Sequence, residues 1–292
     1  MTWEQEKEAL ARDLTQRLYR GEFIQTLWNT TNTKFQKKGW DLKSGIWSPW
    51  FLNLRPIGKD PQLVADVGYA MALTMENEIP DTTRILGVEM AGVPIAAASS
   101  VAYLERAGKK MPFSYTRPLP EKPRDSTEAA KILSDFSEAS AYGMKEFVEG
   151  EIASGDVVAV WDDMVTSLES KLIARLILYH DIGVRNSRGA DISDVRCDYT
   201  VVLLDREQGA AEAAQEHDPP IKLCSVIPWN KGLPLLKDVM DPDEYGVISG
   251  YHSLDMQRYR QDPDFRNYIK NHVLEHRKWP SESQIASFSP PL

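Results

Sequence analysis

The stretch spanning residues 156–170 places the strongest constraint on the fold of this chain. Its first part, residues 157–161, is continuously apolar and rich in β-branched side chains, which is typical of a parallel strand buried on both faces. After a short turn, apolar residues recur at helical spacing, at Leu168, Leu172, Ile173, Leu176 and Ile177. The pattern predicts a strand–turn–helix unit that places Asp162 and Asp163 at the carboxyl end of the strand, where open α/β sheets bind ligands.

Two adjacent carboxylates at that position have a specific chemical use. They can accept hydrogen bonds from the vicinal hydroxyls of a ribose, and their charge favours an electron-poor sugar carbon. The hydroxyls of Thr166 and Ser167, with the amides at the start of the helix, could then hold a 5′-phosphate. Alternatively, the acids are solvated and Thr166 or Ser167 only caps the helix. This stretch alone leaves both interpretations open.

Composition narrows the class of protein. The chain has 292 residues, of which 42% are hydrophobic and 26% charged, as expected of a globular protein with a substantial core. A net charge of −9 argues against general nucleic-acid binding, which requires a basic face. No apolar run approaches the roughly 20 residues of a membrane span, and no signal peptide is evident. With only two cysteines, a disulfide framework is not expected, and the chain is predicted to carry two free thiols in a reducing cytoplasm. The histidines are scattered and do not show the spacing of zinc ligands.

Predicted strands and helices alternate through the middle of the chain. Strands are expected at residues 83–88, 111–116, 157–161, 200–204 and 221–227, and helices at 61–77, 95–106 and 126–145. This alternation predicts an α/β fold with a doubly wound, mostly parallel sheet. The expected domains are an N-terminal helix and hairpin over residues 1–58, the core over 59–230, and a C-terminal helical extension and tail over 231–292.

Two further segments could take part in binding. Residues 40–55 alternate apolar and polar positions around a Ser-Gly break, which predicts two short strands joined by a turn. We call this segment the hood; its three tryptophans and two cations suit either a small cap on the core or a wall of a ligand site. The loop at residues 89–94 contains Gly92, which would let backbone amides approach a diphosphate, although many strand-to-helix turns look alike.

Taken together, these segments resemble the type I phosphoribosyltransferases, and the orotate phosphoribosyltransferases in particular. The hood carries the most specific part of the resemblance, with Leu42-Lys43-Ser44-Gly45, Ser48-Pro49-Trp50-Phe51 and Asn53-Leu54-Arg55. Residues 160–167 resemble the family's strand and loop for phosphoribosyl diphosphate (PRPP), and residues 203–209 its late strand and arginine motif. The resemblance spans about residues 21–227 and implies a doubly wound core with an N-terminal hood and a C-terminal extension.

The resemblance implies transfer of the phosphoribosyl group of PRPP, carrying Mg²⁺, to orotate, giving orotidine 5′-monophosphate and diphosphate in pyrimidine biosynthesis. It also implies a cytoplasmic homodimer that binds neither nucleic acid nor membrane, with Mg²⁺ held by PRPP rather than by the protein. The ribose would be gripped by Asp162 and Asp163, with Arg117 and Lys122 as further catalytic residues. PRPP and its phosphates would be bound by Thr166, Ser167, Leu168, Glu169, Ser170, Lys43 and Gly92, and the base by Trp50, Phe51 and Arg206.

The chain also departs from the family pattern. The family has glycine where this chain has Leu168, and a small residue where it has Glu169. A left-handed backbone at Leu168 would cost about 1–2 kcal/mol, and Glu169 would repel a phosphate unless it points away along the helix. The family's mobile loop with its Arg-Lys, Lys and His pattern has no match. Arg117 with Lys122 and Arg124 could replace it, or residues 142–145 could mark its end after an insertion of about 20 residues.

These departures keep two alternatives open. One is a catalytically weak homologue that binds PRPP or a nucleotide as a sensor or partner subunit. Leu168, Glu169 and the missing mobile-loop pattern favour this alternative, and alanine at position 91, where the family has lysine, leaves diphosphate binding short of cations. The other is the same chemistry on a different base.

Overall fold

The computed structural model describes residues 2–42, 45–139 and 146–288, apart from the side chains of 136–139. Its helices are α1 (Trp3–Arg20), α2 (Thr33–Lys38), α3 (Pro61–Glu78), α4 (Gly92–Ala107), α5 (Ser126–Ala139), α6 (Glu169–Ser187), α7 (Ala210–Glu216), α8 (Trp229–Gly232), α9 (Pro242–His252), α10 (Met256–Gln261), α11 (Pro263–His276) and α12 (Glu282–Ala286). Its strands are β1 (Ile24–Thr26), β2 (Trp40–Asp41), β3 (Trp47–Ser48), β4 (Trp50–Leu52), β5 (Arg84–Gly87), β6 (Phe113–Thr116), β7 (Val148–Glu149), β8 (Val157–Val165), β9 (Arg196–Asp205) and β10 (Lys222–Pro228).

The chain divides into two compact units. The core unit contains Met1–Ala11 and Ile57–Pro228, and the second unit contains Arg12–Pro56 and Trp229–Leu292. The hood and the C-terminal helices therefore belong to the same unit, although they lie far apart in sequence. No helix of the described chain is long and apolar enough to cross a membrane.

The core unit is built on a six-stranded sheet in the order β10-β9-β8-β5-β6-β7. All neighbouring strands are parallel except β6 and β7, which pair antiparallel at one edge. The predicted α/β fold with a mostly parallel sheet is thus confirmed. Strand β8 lies inside the sheet, between β5 and β9, and its residues 157–161 are all buried, as the apolar run predicts.

The alternating side chains of β8 anchor helices on both faces of the sheet. Val158 and Val160 pack in the same cluster as Ala174, Ile177 and Leu178 of α6. On the opposite face, the fully buried Trp161 donates a hydrogen bond from Nε1 to Ser99 Oγ of α4, at 3.1 Å.

A buried ion pair holds the beginning of β8. Asp156 Oδ2 accepts from Arg84 Nε at 2.6 Å, and both side chains are buried. The same carboxylate accepts from Thr83 Oγ1 at 2.9 Å and from Ala153 N at 2.8 Å. Burial would raise the pKa of Asp156, but these hydrogen bonds and the Arg84 charge outweigh it and leave the pKa below its ordinary value. The network fixes where β8 enters the sheet.

The second unit contains the hood. The expected pair of strands is wrong in detail: β2 pairs with β3, whereas β4 pairs with β1, a strand that the sequence pattern did not predict. The indole of Trp50 stacks on Trp229 with centroids 4.3 Å apart. Tyr251 and Tyr259 both donate from their hydroxyls to Trp47 O, at 3.0 and 3.1 Å. Residues from the C-terminal segment therefore complete the core of the hood.

Other predicted boundaries also change. The C-terminal extension, predicted to be helical, contains a 3-10 turn at Leu233–Leu236, and its segment from 256 to 276 is divided into α10 and α11. Asp262 makes this division, since it ends α10 and caps α11 by accepting a hydrogen bond from Phe265 N. Helix α5 begins at Ser126 as expected, but the predicted helical residues 140–145 lie outside the described part of the chain.

Candidate active site

The acid pair lies within β8 rather than beyond its end. The strand continues to Val165, and Asp162, Met164 and Val165 stay in register with β9 opposite Val202, Leu204 and Asp205. The expectation that the strand stops before the acids is therefore wrong, because pairing with the long strand β9 keeps this segment extended. The acids still belong to the carboxyl-terminal part of the strand, next to the turn that leads into α6.

Both carboxylate oxygens of Asp162 are engaged inside the protein. Oδ1 accepts from Asp163 N at 2.9 Å, and Oδ2 accepts from Lys171 Nζ at 2.8 Å. Lys171 also donates to Met164 O at 2.5 Å and to Ser170 Oγ at 3.1 Å, and its side chain is only 2% exposed. The site thus contains a buried lysine that is not among the site residues predicted from the sequence.

A signal for Lys171 was nevertheless present in the sequence. Lys171 and Arg175 follow Leu168 at spacings of three and seven, so both fall on the helix face that the apolar pattern directs toward the sheet. The structure buries both side chains. A cation on the buried face of a helix needs a partner, and the acid pair on the neighbouring strand was the obvious candidate.

Asp163 differs electrostatically from its neighbour. Burial, followed by the negative charge of Asp162, raises the pKa of Asp163 well above its ordinary value, while the Lys171 charge opposes the shift. Asp205, at the end of β9, behaves similarly: burial raises its pKa, and its Oδ1 accepts from Glu207 N at 2.8 Å. The carboxyl-terminal parts of β8 and β9 thus carry two acids with raised pKa values, Asp163 and Asp205, and a third acid, Asp162, whose charge is balanced by Lys171.

The phosphate-loop departures have structural explanations. Leu168 has right-handed helical angles, φ −75° and ψ −12°, so the expected left-handed strain is absent and that expectation is wrong. Its side chain is 2% exposed and packs with Ala214 and Ile221. Leu168 is also the N-cap residue of α6, so neither Thr166 nor Ser167 occupies that position.

Glu169 points toward α5. Its Oε2 accepts from Ser126 N, the first amide of α5, at 2.9 Å. The carboxylate therefore satisfies an otherwise unpaired helix amide. Because Glu169 reaches α5, its negative charge is directed to a helix amide and not to a phosphate bound at the turn, where it would be repelled. Thr166, Ser167 and Ser170 remain half-buried in and beside the turn.

Gly92 brings the second loop close to the acid strand. A Cβ atom at this position would lie 2.4 Å from Trp161 O, a distance that real Cβ atoms do not adopt, so only glycine permits the contact. The amide of Gly92 donates to Val88 O at 2.9 Å. Its role in the structure is therefore close packing against β8, and a diphosphate contact by its own N–H is not available in this conformation. The loop also contains a cis peptide between Glu89 and Met90.

The expected cations are placed differently. Arg117 forms an ion pair with Glu149 at 2.9 Å, Lys122 is exposed, and Arg124 pairs with Glu128. Arg206 follows β9 and is fully buried, with its backbone N–H donating to Val165 O at 3.0 Å. Lys43 and residues 142–145 lie outside the described residues.

The aromatic residues of the hood divide into two groups. Trp40, Trp47 and Trp50 are all buried, with Trp50 only 1% exposed, so these tryptophans pack the hood itself. Phe51 is half-buried and stacks on Trp40 with centroids 6.4 Å apart. Of the two residues expected to flank a base, Phe51 offers the accessible ring.

Comparison with known proteins agrees with this architecture. A solved structure of Leishmania donovani UMP synthase superposes with a TM-score of 0.55 at 21% identity, covering 83% of this chain and 42% of that one. The fold is that of the type I phosphoribosyltransferases. No protein-family model matches the chain.

Sequence relatives point the same way. Uridine 5′-monophosphate synthase of Bos taurus is 26% identical over 196 residues, and the match covers 67% of this chain but 33% of that protein. The chain thus spans about a third of the bovine protein. Orotate phosphoribosyltransferase of Pyrobaculum islandicum is 28% identical over 213 residues, covering 72% of this chain and 88% of the relative. The resemblance to type I phosphoribosyltransferases, above all to the orotate enzymes, is confirmed.

The type I phosphoribosyltransferase fold raises the question of a metal. Among the described residues, no three His, Cys, Asp or Glu side chains form a group that could hold an ion. Moreover, Lys171 already places a positive charge 2.8 Å from Asp162 Oδ2. The residues present do not fit a directly bound Mg²⁺, so Mg²⁺ is treated below as part of the PRPP substrate.

Proposed function

We propose that this protein is an orotate phosphoribosyltransferase that transfers the phosphoribosyl group of Mg²⁺-bound PRPP to orotate in pyrimidine biosynthesis. The observation that carries the proposal is the acid pair of β8 next to the turn at residues 166–168 and the N-terminus of α6. The names of the sequence relatives support the choice of orotate, and the type I fold supports the reaction class.

The chemistry requires positioning more than covalent catalysis. When the bond between the ribose carbon and diphosphate breaks, the sugar becomes positively charged, and a nearby carboxylate can stabilise that charge. In this proposal, the acid pair of Asp162 and Asp163 lies beside the ribose, whose hydroxyls donate to a carboxylate of the pair. Thr166, Ser167 and Ser170, with the N–H groups of the first turn of α6, hold the 5′-phosphate. Holding both reactants in line supplies much of the rate enhancement.

The remaining proposed contacts concern the base and the diphosphate. Arg206 is assigned to the orotate carboxylate because a guanidinium matches a carboxylate with two parallel hydrogen bonds. Since Arg206 is fully buried, this pairing requires its side chain to become accessible when the base binds. Phe51 is assigned to the pyrimidine ring, with Trp50 supporting the hood behind it. Arg117, Lys122 and Lys43 are assigned to diphosphate. To reach it, Arg117 would have to break its ion pair with Glu149.

We further propose a cytoplasmic homodimer. Two free, buried cysteines are compatible with a reducing compartment. Met90, in the loop before α4, and Val101 and Leu104 of α4 are large apolar side chains that are 66%, 56% and 48% exposed, and a second copy could cover them. Sedimentation of the wild type and of V101E/L104E tests the dimer. A wild type that sediments as a monomer contradicts it.

The direct test is a purified-enzyme assay with Mg²⁺, PRPP and orotate. We expect consumption of orotate that depends on PRPP, and loss of turnover in D162N/D163N. The matched control is D135N, which changes an exposed aspartate on α5. Failure of the wild type to consume orotate at high enzyme concentration would refute the proposal, and a panel of other pyrimidine and purine bases then tests the same chemistry on another base.

A second candidate function is a catalytically weak homologue that binds PRPP or a nucleotide. The ion pair between Lys171 and Asp162 favours it, since one of the two acids is already compensated by the protein. Calorimetric titration with Mg²⁺-PRPP and with orotidine 5′-monophosphate separates the candidates. Binding without turnover supports this second function, whereas absence of binding of either ligand excludes both.

A further inference from the structure

The three donors of the Lys171 ammonium are matched by three acceptors. Asp162 Oδ2, Met164 O and Ser170 Oγ lie 2.8, 2.5 and 3.1 Å from Nζ. With its side chain 2% exposed, the group has exchanged water entirely for protein partners. The charge is thus held at one defined point behind the acid pair.

Stability alone does not explain a lysine at this position. Desolvating both partners of a buried ion pair costs free energy that their attraction often fails to recover, and an apolar residue of similar size is usually no worse. Lys171 is also the third residue of α6, where the positive end of the helix dipole disfavours a cation. Two unfavourable terms at one residue indicate a role in the site.

The two acids occupy different environments because of Lys171. Asp162 uses Oδ1 on the Asp163 amide and Oδ2 on Lys171, so both of its oxygens have protein partners. Lys171 acts on Asp163 only through its charge, which lowers the pKa of Asp163 against the effects of burial and of Asp162. Asp163 has hydrogen bonds of its own, to the Asp162 side chain and from the Met164 backbone, but none to Lys171. The two acids therefore differ in that only Asp162 forms an ion pair with the lysine.

We propose that Lys171 is a positioning residue that fixes Asp162 as an internal counter-ion and leaves Asp163 as the carboxyl group that contacts the ribose of a phosphoribosyl substrate. This inference rests on the proposed function and assigns separate roles to two acids that the resemblance treats as equivalent. Lys171 itself does not contact the sugar; it acts through the position and charge of the acid pair.

The charged groups around the acid pair determine the effect of removing Lys171. Asp163 lies on β8 with Asp162, and Asp205 on β9 also feels the Lys171 charge. Glu207 and Glu212 lie near Asp205 and add negative charge, which raises its pKa. Without Lys171 these carboxylates face one another with less compensation, so Asp163 holds its proton to a higher pH.

The test compares K171M with the wild type in the pH dependence of kcat/KM for PRPP. We expect the acidic limb of the K171M profile to move to higher pH by about 1–3 units, the usual effect of losing a nearby opposite charge. Activity of K171M at neutral pH should therefore fall and recover in alkaline buffer. K131M, which removes an exposed lysine of α5, should retain the wild-type profile.

A second variant separates positioning from folding. D162N/K171M removes both charges of the pair and so avoids an unpaired buried ion. We expect it to keep more activity than D163N, with its acidic limb close to that of the wild type. If K171M fails to fold, this comparison alone decides the question.

The outcomes distinguish the two proposals. A wild type without turnover of PRPP overturns the proposed function, and the inference with it unless PRPP binding shows the same dependence on Lys171 and pH. An active wild type whose K171M variant keeps the same pH profile and the same KM overturns the inference alone. A D162N/K171M variant that is as inactive as D163N also overturns the inference.

Discussion

Replacing Leu168 by alanine should destabilise the protein without opening the phosphate site. Leu168 is 2% exposed, and its neighbours Ala214 and Ile221 are also buried. Removing a buried leucine side chain costs about 2–5 kcal/mol through lost burial and the cavity that remains. Because Leu172 and Leu223 in the same cluster are only partly buried and can move inward, we expect the lower part of this range, about 2–4 kcal/mol.

Urea unfolding measures this loss, and PRPP titration of the folded variant measures the site. Leu172→Ala is the matched control, because it thins the same cluster from a position beyond the phosphate turn. Both variants should lose stability, and neither should bind PRPP more tightly than the wild type. A loss below about 1 kcal/mol for Leu168→Ala, or tighter PRPP binding, would show that Leu168 obstructs the phosphate site instead of packing in the core.

Three further predictions test the supports of the site. Asp156→Asn should lower the free energy of unfolding by about 3–5 kcal/mol at neutral pH, because it leaves Arg84 buried without its counter-charge. Since the folded-state pKa of Asp156 is lowered, this loss should shrink as the pH falls through that pKa, which unfolding at several pH values measures. Asp163→Asn should stabilise the protein at neutral pH, because a raised folded-state pKa costs stability as pH rises from the ordinary aspartate value; a destabilised variant would contradict this. Glu169→Ala should cost about 0.5–2 kcal/mol and increase amide hydrogen exchange at Ser126, as loss of a helix cap does, and unchanged exchange there would exclude the contact.

The cysteines are a contrasting case, because their environment argues against a chemical role. Cys197 of β9 and Cys224 of β10, the two cysteines of the chain, are free and buried. Burial raises the pKa of each thiol to about 12. A thiol with such a pKa is protonated and unreactive at neutral pH, so neither residue is a candidate nucleophile.

Local pattern was sufficient for the strand-and-helix order of the core. The apolar run before Asp162 specified a buried strand, and the helical spacing from Leu168 onward specified a helix packed on it, because both periodicities are properties of neighbouring residues. The hood motif and the acid pair also pointed to the phosphoribosyltransferase fold from sequence alone. These features depend on residues that are close together in the chain.

The directions of individual side chains were decided by tertiary structure. Leu168 turns into a cluster made with α7, Glu169 reaches the first amide of α5, and Lys171 returns to the strand before its own helix. Likewise, β8 extends through its acids because β9 pairs with it, and the hood is packed by helices from the other end of the chain. Sequence periodicity assigns a residue to a face of an element, whereas its partner on that face comes from a distant segment whose position only the folded chain defines.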